Sequence, residues 1–184
     1  MQKKTVAVVI LLFISIFPLY GEKLNHHFAG LKTGYSLIHD YNGRLDSGIN
    51  LGLGFEPALL DYVNIDILLN LYIFWKKDTT VSIARGGYSY CHVPSIAIGP
   101  RYTLPFSKRI KPFAGAGIHL TVAIDHDPAR SITSASFGPG VYAKTGVDWI
   151  IGKSLFLGLE SKYKWCFTDV PHIFSFNMRV GYRY

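Results

Sequence analysis

The sequence predicts an all-β protein, an eight-stranded antiparallel up-and-down β-barrel that spans a membrane. Three observations lead to this prediction. Apolar and polar residues alternate in eight segments, short turns and mostly longer polar links join these segments in alternation, and aromatic residues gather near both ends of the segments. With 184 residues, 49% hydrophobic and 17% charged, the chain has the size of one domain and is too apolar for intrinsic disorder.

The N-terminal 21 residues differ in composition from the rest of the chain. Lys3 and Lys4 supply positive charge, residues 6–20 are almost entirely apolar, and Gly21 is a small residue in front of a polar pair. This pattern is typical of a secretory signal peptide, and the apolar run is shorter than the roughly 20 residues that a membrane-spanning helix needs. We therefore expect residues 1–21 to be a cleaved signal peptide and residues 22–184 to form the barrel.

The first four predicted strands alternate with a period of two. Residues 31–37 and 49–55 place large apolar residues between Gly, Lys, Ser and Asn, and residues 63–73 carry Val, Ile or Leu at every odd position. In residues 96–104, Ile and Tyr alternate with Ala, Gly, Arg and Thr. Such a period predicts strands with one apolar face. Pro100 interrupts the fourth strand and, because it lacks a backbone N–H, predicts a bulge or a local break there.

The last four predicted strands show the same period. Residues 114–122 alternate Ala, Ile, Leu and Val with Gly, His and Thr. Residues 141–151 and 155–167 are separated only by Gly152-Lys153-Ser154, which predicts a hairpin, and Pro139 predicts a second local irregularity. Residues 174–184 alternate most strictly, with Phe, Met, Val and Tyr on one face and Ser, Asn, Arg and Gly on the other.

The face opposite the apolar residues indicates which side points into the barrel. It combines Gly, Ser and Asn with single charges of both signs, whereas a water-soluble barrel would expose a densely charged surface. We therefore expect the apolar face to contact lipid and the mixed face to line a narrow lumen, in which buried charges must pair. The expected charge network consists of the cations Lys32, Arg101, Lys144, Lys162, Lys164 and Arg179 and the carboxylates Glu56, Asp66, Asp148 and Glu160.

Aromatic residues are expected to form two girdles at the membrane interfaces. Rings with an apolar body and a polar edge are favoured there. One group lies next to the short turns and the other lies at the opposite strand ends. The first group is Tyr102, Phe106, Trp149, Tyr182 and Tyr184, and the second is Tyr72, Trp75, Tyr163, Trp165 and Phe174.

Two strands carry motifs that resemble those of a known group. Residues 174–184, Phe-Ser-Phe-Asn-Met-Arg-Val-Gly-Tyr-Arg-Tyr, are similar to the terminal strand of bacterial outer-membrane barrels. Residues 111–118, Lys-Pro-Phe-Ala-Gly-Ala-Gly-Ile, resemble a strand of small barrels of the OmpW and OmpA-like groups. The resemblance implies a multi-pass protein in the lipid of the outer membrane of a Gram-negative-type (diderm) bacterium, with its short turns in the periplasm. It also implies delivery by periplasmic chaperones and recognition by the barrel-assembly machinery through Phe174, Phe176, Tyr182 and Tyr184.

No catalytic site is expected. Small outer-membrane barrels include lipid A deacylases, which share a His-x-Ser-Asn strand motif, and this chain contains no His-x-Ser. His119 and Thr121 share a lumen-facing side, but they lie in the middle of a strand and no carboxylate has a spacing that signals a triad. We expect His119 to be a hydrogen-bonded lumen residue.

No metal site or cofactor is expected, and a disulfide is left open. Four histidines fall near the outer strand ends, but separate loops do not supply the ligand spacing of a metal site. Cys91 and Cys166 also lie near outer strand ends, and export would permit a disulfide between them. The four histidines are His39, His92, His126 and His172, with Asp40, Asp125, Asp127 and Asp169 beside them.

These features lead to three functional hypotheses. The leading one is a narrow channel for small, including hydrophobic, molecules, because the lumen of an eight-stranded barrel is largely filled by side chains. The alternative is a surface-exposed adhesin or ligand-binding barrel that contacts a host ligand through residues 76–93, and the third is a lipid A-modifying hydrolase. The formal charge of +7 is too small and scattered for nucleic-acid binding. The candidate loop contacts are Lys76, Lys77, Arg85, Tyr88 and Tyr90.

Overall fold

The computed structural model describes residues 27–39, 45–77, 88–127, 132–168 and 172–184. The expected signal peptide, residues 1–21, lies outside these ranges. No helix within them is long and apolar enough to cross a membrane. They form nine strands: β1 (Phe28–His39), β2 (Leu45–Glu56), β3 (Ala58–Leu60), β4 (Val63–Lys77), β5 (Tyr88–Thr103), β6 (Ile110–Asp127), β7 (Ile132–Ile151), β8 (Leu155–Cys166) and β9 (His172–Arg183).

Eight of these strands close an antiparallel barrel. β2 pairs with β1 and β4, each strand from β4 to β9 pairs with the next along the chain, and β9 returns to β1. The predicted all-β, eight-stranded antiparallel up-and-down fold is therefore confirmed. The additional strand, β3, has three residues and pairs with β4 inside a link that was expected to be a plain turn, with an irregular register between Ala58 and Leu60.

The strands are inclined to the barrel axis. Followed from pair to pair around the barrel, the register that starts at Phe28 in β1 returns to β1 at Ile38. Such a stagger tilts the strands and sets a lumen just wide enough for side chains to fill. Residues from different strands can therefore meet inside the barrel although they lie at different distances from the ends of their strands.

The outer surface of the barrel is apolar and the inner surface is polar. Along β8, Leu155, Leu157 and Leu159 are 53%, 45% and 50% exposed, whereas Glu160 and Lys162 are buried. A barrel in water has the opposite arrangement, because exposing leucines to water and burying charged side chains both cost free energy. The outer face is therefore a belt suited to lipid, as in transmembrane barrels.

One aromatic residue lies elsewhere than predicted. Tyr72, expected in the outer girdle, is 0% exposed and lies inside the barrel. The assignment is wrong because the odd-numbered residues of β4 face outward, so that Tyr72 points inward with Asn70 and Phe74. The exposed aromatic residues that fit the two girdles are Trp75, Phe106, Trp149, Tyr163, Trp165, Tyr182 and Tyr184.

Two hairpins extend further than predicted. β4 and β5 stay paired to their ends, and β6 and β7 stay paired out to Asp127 and Ile132. Hydropathy alternation stops where a strand leaves the apolar belt, but backbone pairing needs no apolar side chain and continues. Four of the expected loop contacts therefore belong to strands, and Arg85 lies outside the described residues; the four are Lys76, Lys77, Tyr88 and Tyr90.

The two prolines that predicted irregularities, Pro100 and Pro139, interrupt pairing without changing the register. Pro100 remains within β5 opposite Ile65, but the ladder between β5 and β6 is interrupted at this point and resumes in the same register at Arg101. Pro139 pairs with Leu120 of β6, and the ladder to β8 begins only at the next residue, Gly140. The expected irregularities are thus local interruptions on one side of each strand.

Candidate functional site

The predicted charge network lies inside the barrel. Its ten members come from seven strands, β1, β2, β4, β5, β7, β8 and β9, and all of them are buried. Period-two alternation delivers each side chain to the lumen, and the strand tilt brings distant residues to the same depth. Lys32 and Glu160, for example, are 128 positions apart in the chain, yet Nζ of Lys32 lies 2.8 Å from Oε2 of Glu160.

Glu56 joins two arginines on opposite sides of the lumen. Its carboxylate accepts hydrogen bonds from Nη1 of Arg101 and from Nη2 of Arg179, the latter at 2.5 Å. Arg101 also donates through Nη2 to Asp148, and Nη1 of Arg179 lies 3.8 Å from Oδ1 of the same aspartate. The side chains of all four residues are at most 2% exposed, so each charge is balanced inside the protein and not by solvent.

Glu160 and Asp66 complete the network. Oε2 of Glu160 lies 2.8 Å from Nζ of Lys32, 3.4 Å from Nζ of Lys144 and 3.6 Å from Nη1 of Arg179. Nζ of Lys144 lies 2.5 Å from Oδ2 of Asp66. Carboxylates and cations therefore alternate through space in the middle of the lumen.

The remaining two predicted cations have neutral polar partners. Nζ of Lys162 donates to Oδ1 of Asn70 at 3.1 Å, and Nζ of Lys164 donates to Oγ of Ser95. The ring of Tyr72 lies beside both ammonium groups, 5.8 Å from Lys162 and 4.8 Å from Lys164. Tyr72 thus contributes to the lumen as a cation–π partner.

Apolar clusters close both ends of the lumen. Phe28, Ile150 and Phe156 form a buried cluster at the short-turn end, and the ring of Phe113 stacks 3.9 Å from the guanidinium carbon of Arg101. At the opposite end a larger buried cluster covers the polar middle, formed by Ile38, Tyr72, Phe74, Cys91, Val93, Ala123, Cys166 and Ile173. The lumen is therefore a packed core with a charged centre.

One lumen cation was missed by the sequence analysis. Lys111 is 7% exposed and lies on the inner face of β6. Lys111 begins the motif that resembles a barrel strand, but the alternation was followed only from residue 114, so that no face was assigned to it. The inner-face pattern of β6, Phe113, Gly115 and Gly117, extends back to Lys111 and would have identified it once the strand start was known.

A space of ≈ 1140 Å³ is lined by residues of seven of the eight barrel strands, β1, β2, β4, β5, β6, β8 and β9. Most of its lining residues face outward, including Leu31, Leu53, Leu69 and Val180. Because the leucines belong to the belt that faces lipid, acyl chains of the bilayer would cover this surface.

Within the described residues, four strands extend beyond the rest of the barrel at the end away from the short turns. The ladder between β2 and β4 ends at Trp75, and the ladder between β7 and β8 begins at Gly140, while β4 to β7 continue past these points. We call this extension the outer wall; it consists of residues 76–77, 88–92, 124–127 and 132–139. The predicted contacts in β4 and β5 therefore lie on the outer wall.

Within the described residues, the last strand of the outer wall has one side without a paired strand, which we call the open edge. Residues 134–137 of β7 pair with β6, all four are exposed, and β8 does not extend beside them within the described residues. The N–H of Ile150 donates to the carbonyl of Arg109, just before β6, so the even-numbered residues of β7 direct their backbone groups toward β6. The carbonyl of Pro139 accepts from the N–H of Phe167, just after β8, so the odd-numbered residues direct theirs to the opposite side. Because backbone groups alternate sides along a strand, the N–H and C=O of Ala135 point to the open edge. Oγ1 of Thr168 donates to the carbonyl of Phe137 and marks where the open edge begins.

The predicted assembly signal lies on the outside of the last strand. Phe176, Tyr182 and Tyr184 are 56%, 50% and 56% exposed, and the ring of Phe174 meets that of Phe176 edge-on at 4.8 Å. These side chains line one outer face of β9, next to β1. Their recognition by the assembly machinery remains a prediction.

His119 and the cysteines are lumen residues. Nδ1 of His119 lies 2.9 Å from Oγ1 of Thr121, and Nε2 lies 3.2 Å from the carbonyl oxygen of Trp165. These contacts fix the imidazole against the barrel wall. Cys91 and Cys166 belong to the same buried cluster, and both are thiols.

The outer histidines lie on different strands. His39 in β1 is paired with His172 in β9, and the ring of His172 stacks on Tyr163 at 6.1 Å. His92 is exposed on β5, and His126 lies opposite Tyr90. In the part of the chain that the structure describes, no three His, Cys, Asp or Glu side chains gather as a metal ligand set. Asp40 and Asp169 fall outside the described residues.

Known structures share this fold at low sequence identity. No family model matches the chain, and no curated protein is significantly similar to it in sequence. Neisserial surface protein A matches with a TM-score of 0.62 and 15% identity over 85% of this chain and 95% of that chain. The N-terminal barrel of Pseudomonas aeruginosa OprF matches with 0.61 and 10% over 89% and 100%.

A further match is Ail, the attachment invasion locus protein of Yersinia pestis, with a TM-score of 0.57 and 10% identity over 87% of this chain and 99% of that chain. At such identities the likeness establishes the fold, which is that of small outer-membrane β-barrels. The fold and the apolar belt agree with the expected location in the outer membrane of a Gram-negative-type bacterium.

Proposed function

We propose that this chain is an outer-membrane barrel that binds a partner at the cell surface through its outer wall, while its lumen serves as a packed core. The observation that carries the proposal is that, among the described residues, no strand pairs with residues 134–137 of β7 on the side away from β6. An open strand edge can accept an extended segment of another protein as an additional strand, with backbone hydrogen bonds supplying the affinity. Residues 132–138 contain no charged residue and no Pro, the devices that usually protect such an edge.

Other features of the outer wall support a surface role. Lys76 and Lys77 of β4 and Tyr88 and Tyr90 of β5 belong to the same wall as the open edge. β5 and β4 lie two and three strands from β7, so only a partner that extends across the wall beyond the added strand could also contact them. One barrel with the same fold is described as an attachment invasion locus protein, so the fold is compatible with this role.

The packed lumen weighs against a channel through the barrel. A solute would have to separate buried ion pairs such as Lys32 and Glu160 and displace the apolar cluster that includes Tyr72 and Phe74. Removing one partner of a buried ion pair costs about 3–5 kcal/mol. The barrel is therefore better suited to displaying its outer wall than to conducting solutes.

Liposome swelling tests the channel hypothesis directly. Vesicles that contain the folded barrel should swell in an isosmotic solution of a small sugar no faster than protein-free vesicles, because the lumen is filled. A general porin in the same vesicles provides the positive control. Swelling at a rate comparable to the porin would contradict the proposal and restore the narrow channel as the leading function.

The open edge is tested by Ala135→Pro. Proline at this position removes the N–H that faces the edge and leaves the ladder to β6 intact, because the neighbouring residues supply that ladder. We expect binding of bacteria that display the barrel to cultured epithelial cells to fall by about tenfold, since an added strand would lose a backbone hydrogen bond and meet the proline ring.

The matched control is Ala135→Ser, which changes the side chain and keeps the N–H. It should bind as the unchanged protein does. Both variants should keep the gel shift between unboiled and boiled samples that a closed barrel shows. Equal binding by the two variants, with both barrels folded, would rule out strand addition at β7.

A further inference from the structure

Basic side chains are concentrated at the short-turn rim of the barrel, opposite the outer wall. Lys108 and Arg109 end the turn before β6, Lys153 lies in the turn between β7 and β8, and Arg183 ends β9. Lys108, Arg109 and Lys153 are exposed and Arg183 is partly exposed. The two turns, residues 104–109 and 152–154, contain no Asp or Glu. We call this group the basic arc.

Backbone and side-chain contacts connect the basic arc. The N–H of Ile150 donates to the carbonyl of Arg109 at 2.7 Å, which places Arg109 beside the end of β7. Nη2 of Arg183 donates to the carbonyl of Lys153 at 3.1 Å, and the N–H of Arg183 donates to the carbonyl of Ser154. The cations therefore lie side by side around the ends of four neighbouring strands, β6 to β9.

The lipid-facing surface next to the basic arc is apolar and aromatic. Trp149 pairs with Ile110, and Leu155 pairs with Tyr182, each pair one or two residues from the arc. These four side chains are 36% to 53% exposed on the outside of the barrel. A ring such as that of Trp149 or Tyr182 takes the level of the lipid headgroups, where one part meets acyl chains and the other meets water. The basic arc consequently lies at the depth of the phosphates.

We propose that the basic arc binds the phosphate of an anionic phospholipid in the membrane leaflet that surrounds the short turns, with the lipid's acyl chains lying against Trp149 and Leu155. Charge complementarity supports this occupant, because each Lys or Arg near a membrane surface favours anionic lipid, and here several act together. In an outer membrane the leaflet on the periplasmic side is the one that consists of phospholipid. This site is separate from the outer wall and does not depend on the proposed surface binding.

Tryptophan quenching by brominated lipid tests the proposal. The chain has three Trp residues, and the variant W75F/W165F retains only Trp149, next to the basic arc. It is reconstituted into phosphatidylcholine vesicles that contain a minor fraction of either brominated phosphatidylglycerol or brominated phosphatidylcholine. We expect phosphatidylglycerol to quench Trp149 more strongly, with a local enrichment of about fivefold for each basic side chain that contacts it.

Two comparisons locate the effect. Adding R109Q and K153Q, which removes two of the four basic side chains, should strongly reduce the difference between the two lipids while the barrel still shows its gel shift, because both side chains are exposed. The variant W75F/W149F, which retains only Trp165 at the far end of β8, should be quenched equally by both lipids. Equal quenching of Trp149 by both lipids, a preference that R109Q/K153Q leaves undiminished, or the same preference at Trp165 would each overturn the proposal.

Discussion

Glu56→Gln should lower the free energy of unfolding of the barrel by about 3–5 kcal/mol. Glu56 is 1% exposed and accepts hydrogen bonds from Arg101 and Arg179, and Oε1 lies 3.9 Å from Nζ of Lys144. Glutamine keeps the shape of the side chain and removes its charge, so no cavity contributes to the loss. The guanidinium groups then remain buried with less negative charge around them. Urea unfolding of the folded barrel in lipid vesicles, followed by Trp fluorescence, measures the change.

Asp61→Asn is the matched control for this prediction. Asp61 lies in the turn between β3 and β4 and is partly exposed, so its replacement should change stability by no more than about 0.5 kcal/mol. The double variant E56Q/R179M removes one charge of each sign and should recover part of the loss. If E56Q unfolds at the same urea concentration as D61N, the lumen network does not stabilise the barrel.

Leu51→Arg should destabilise the barrel by about 2–4 kcal/mol in a lipid bilayer. Leu51 lies in the middle of β2, is 52% exposed and pairs with Thr33 and Leu71 on the outer face. An arginine there would have to place its charge in hydrocarbon or distort the bilayer around it. The measurement is again urea unfolding in vesicles.

Leu59→Arg separates the effect of lipid from the effect of the substitution. Leu59 is 59% exposed, similar to Leu51, but it belongs to β3 at the short-turn end. Near the interface the same substitution should cost no more than about 1 kcal/mol. In water both leucines would tolerate arginine equally well. Equal effects of the two substitutions would therefore contradict the membrane orientation of the barrel.

The strands and their faces could be predicted from the sequence because burial in a thin barrel wall has a period of two. In β9 every second residue from Phe174 to Tyr182 is large and apolar, and the alternate residues Asn177 and Arg179 are buried in the lumen. The same rule indicated which charges would meet inside, although the partner of each charge depends on the stagger between strands. Lys32 with Glu160 could not be deduced from either strand alone.

Features that do not depend on hydropathy were missed. The ends of β5 and β7 lie beyond the apolar belt, where backbone pairing alone maintains the strand, so the outer wall and its open edge left no hydropathy signal. β3 arises from local pairing of three residues within a turn. Tyr72 was misplaced because an aromatic residue near a strand end fits a girdle as well as a lumen, and only its position in the alternation of β4 decides between them.

The pairing of β1 with β9 has a consequence for how the molecule forms. The first and last strands of the barrel are partners, so the contact that shuts it joins the two ends of the folded chain. Contacts of such large sequence separation slow folding, since chain entropy is lost before they can compensate for it. Until β9 arrives, the backbone groups of β1 on that side have no strand to satisfy them, and hydrocarbon offers no water in its place. Insertion and closure should therefore be a single concerted event, and a chain that stops before β9 should not persist in the bilayer as a stable intermediate.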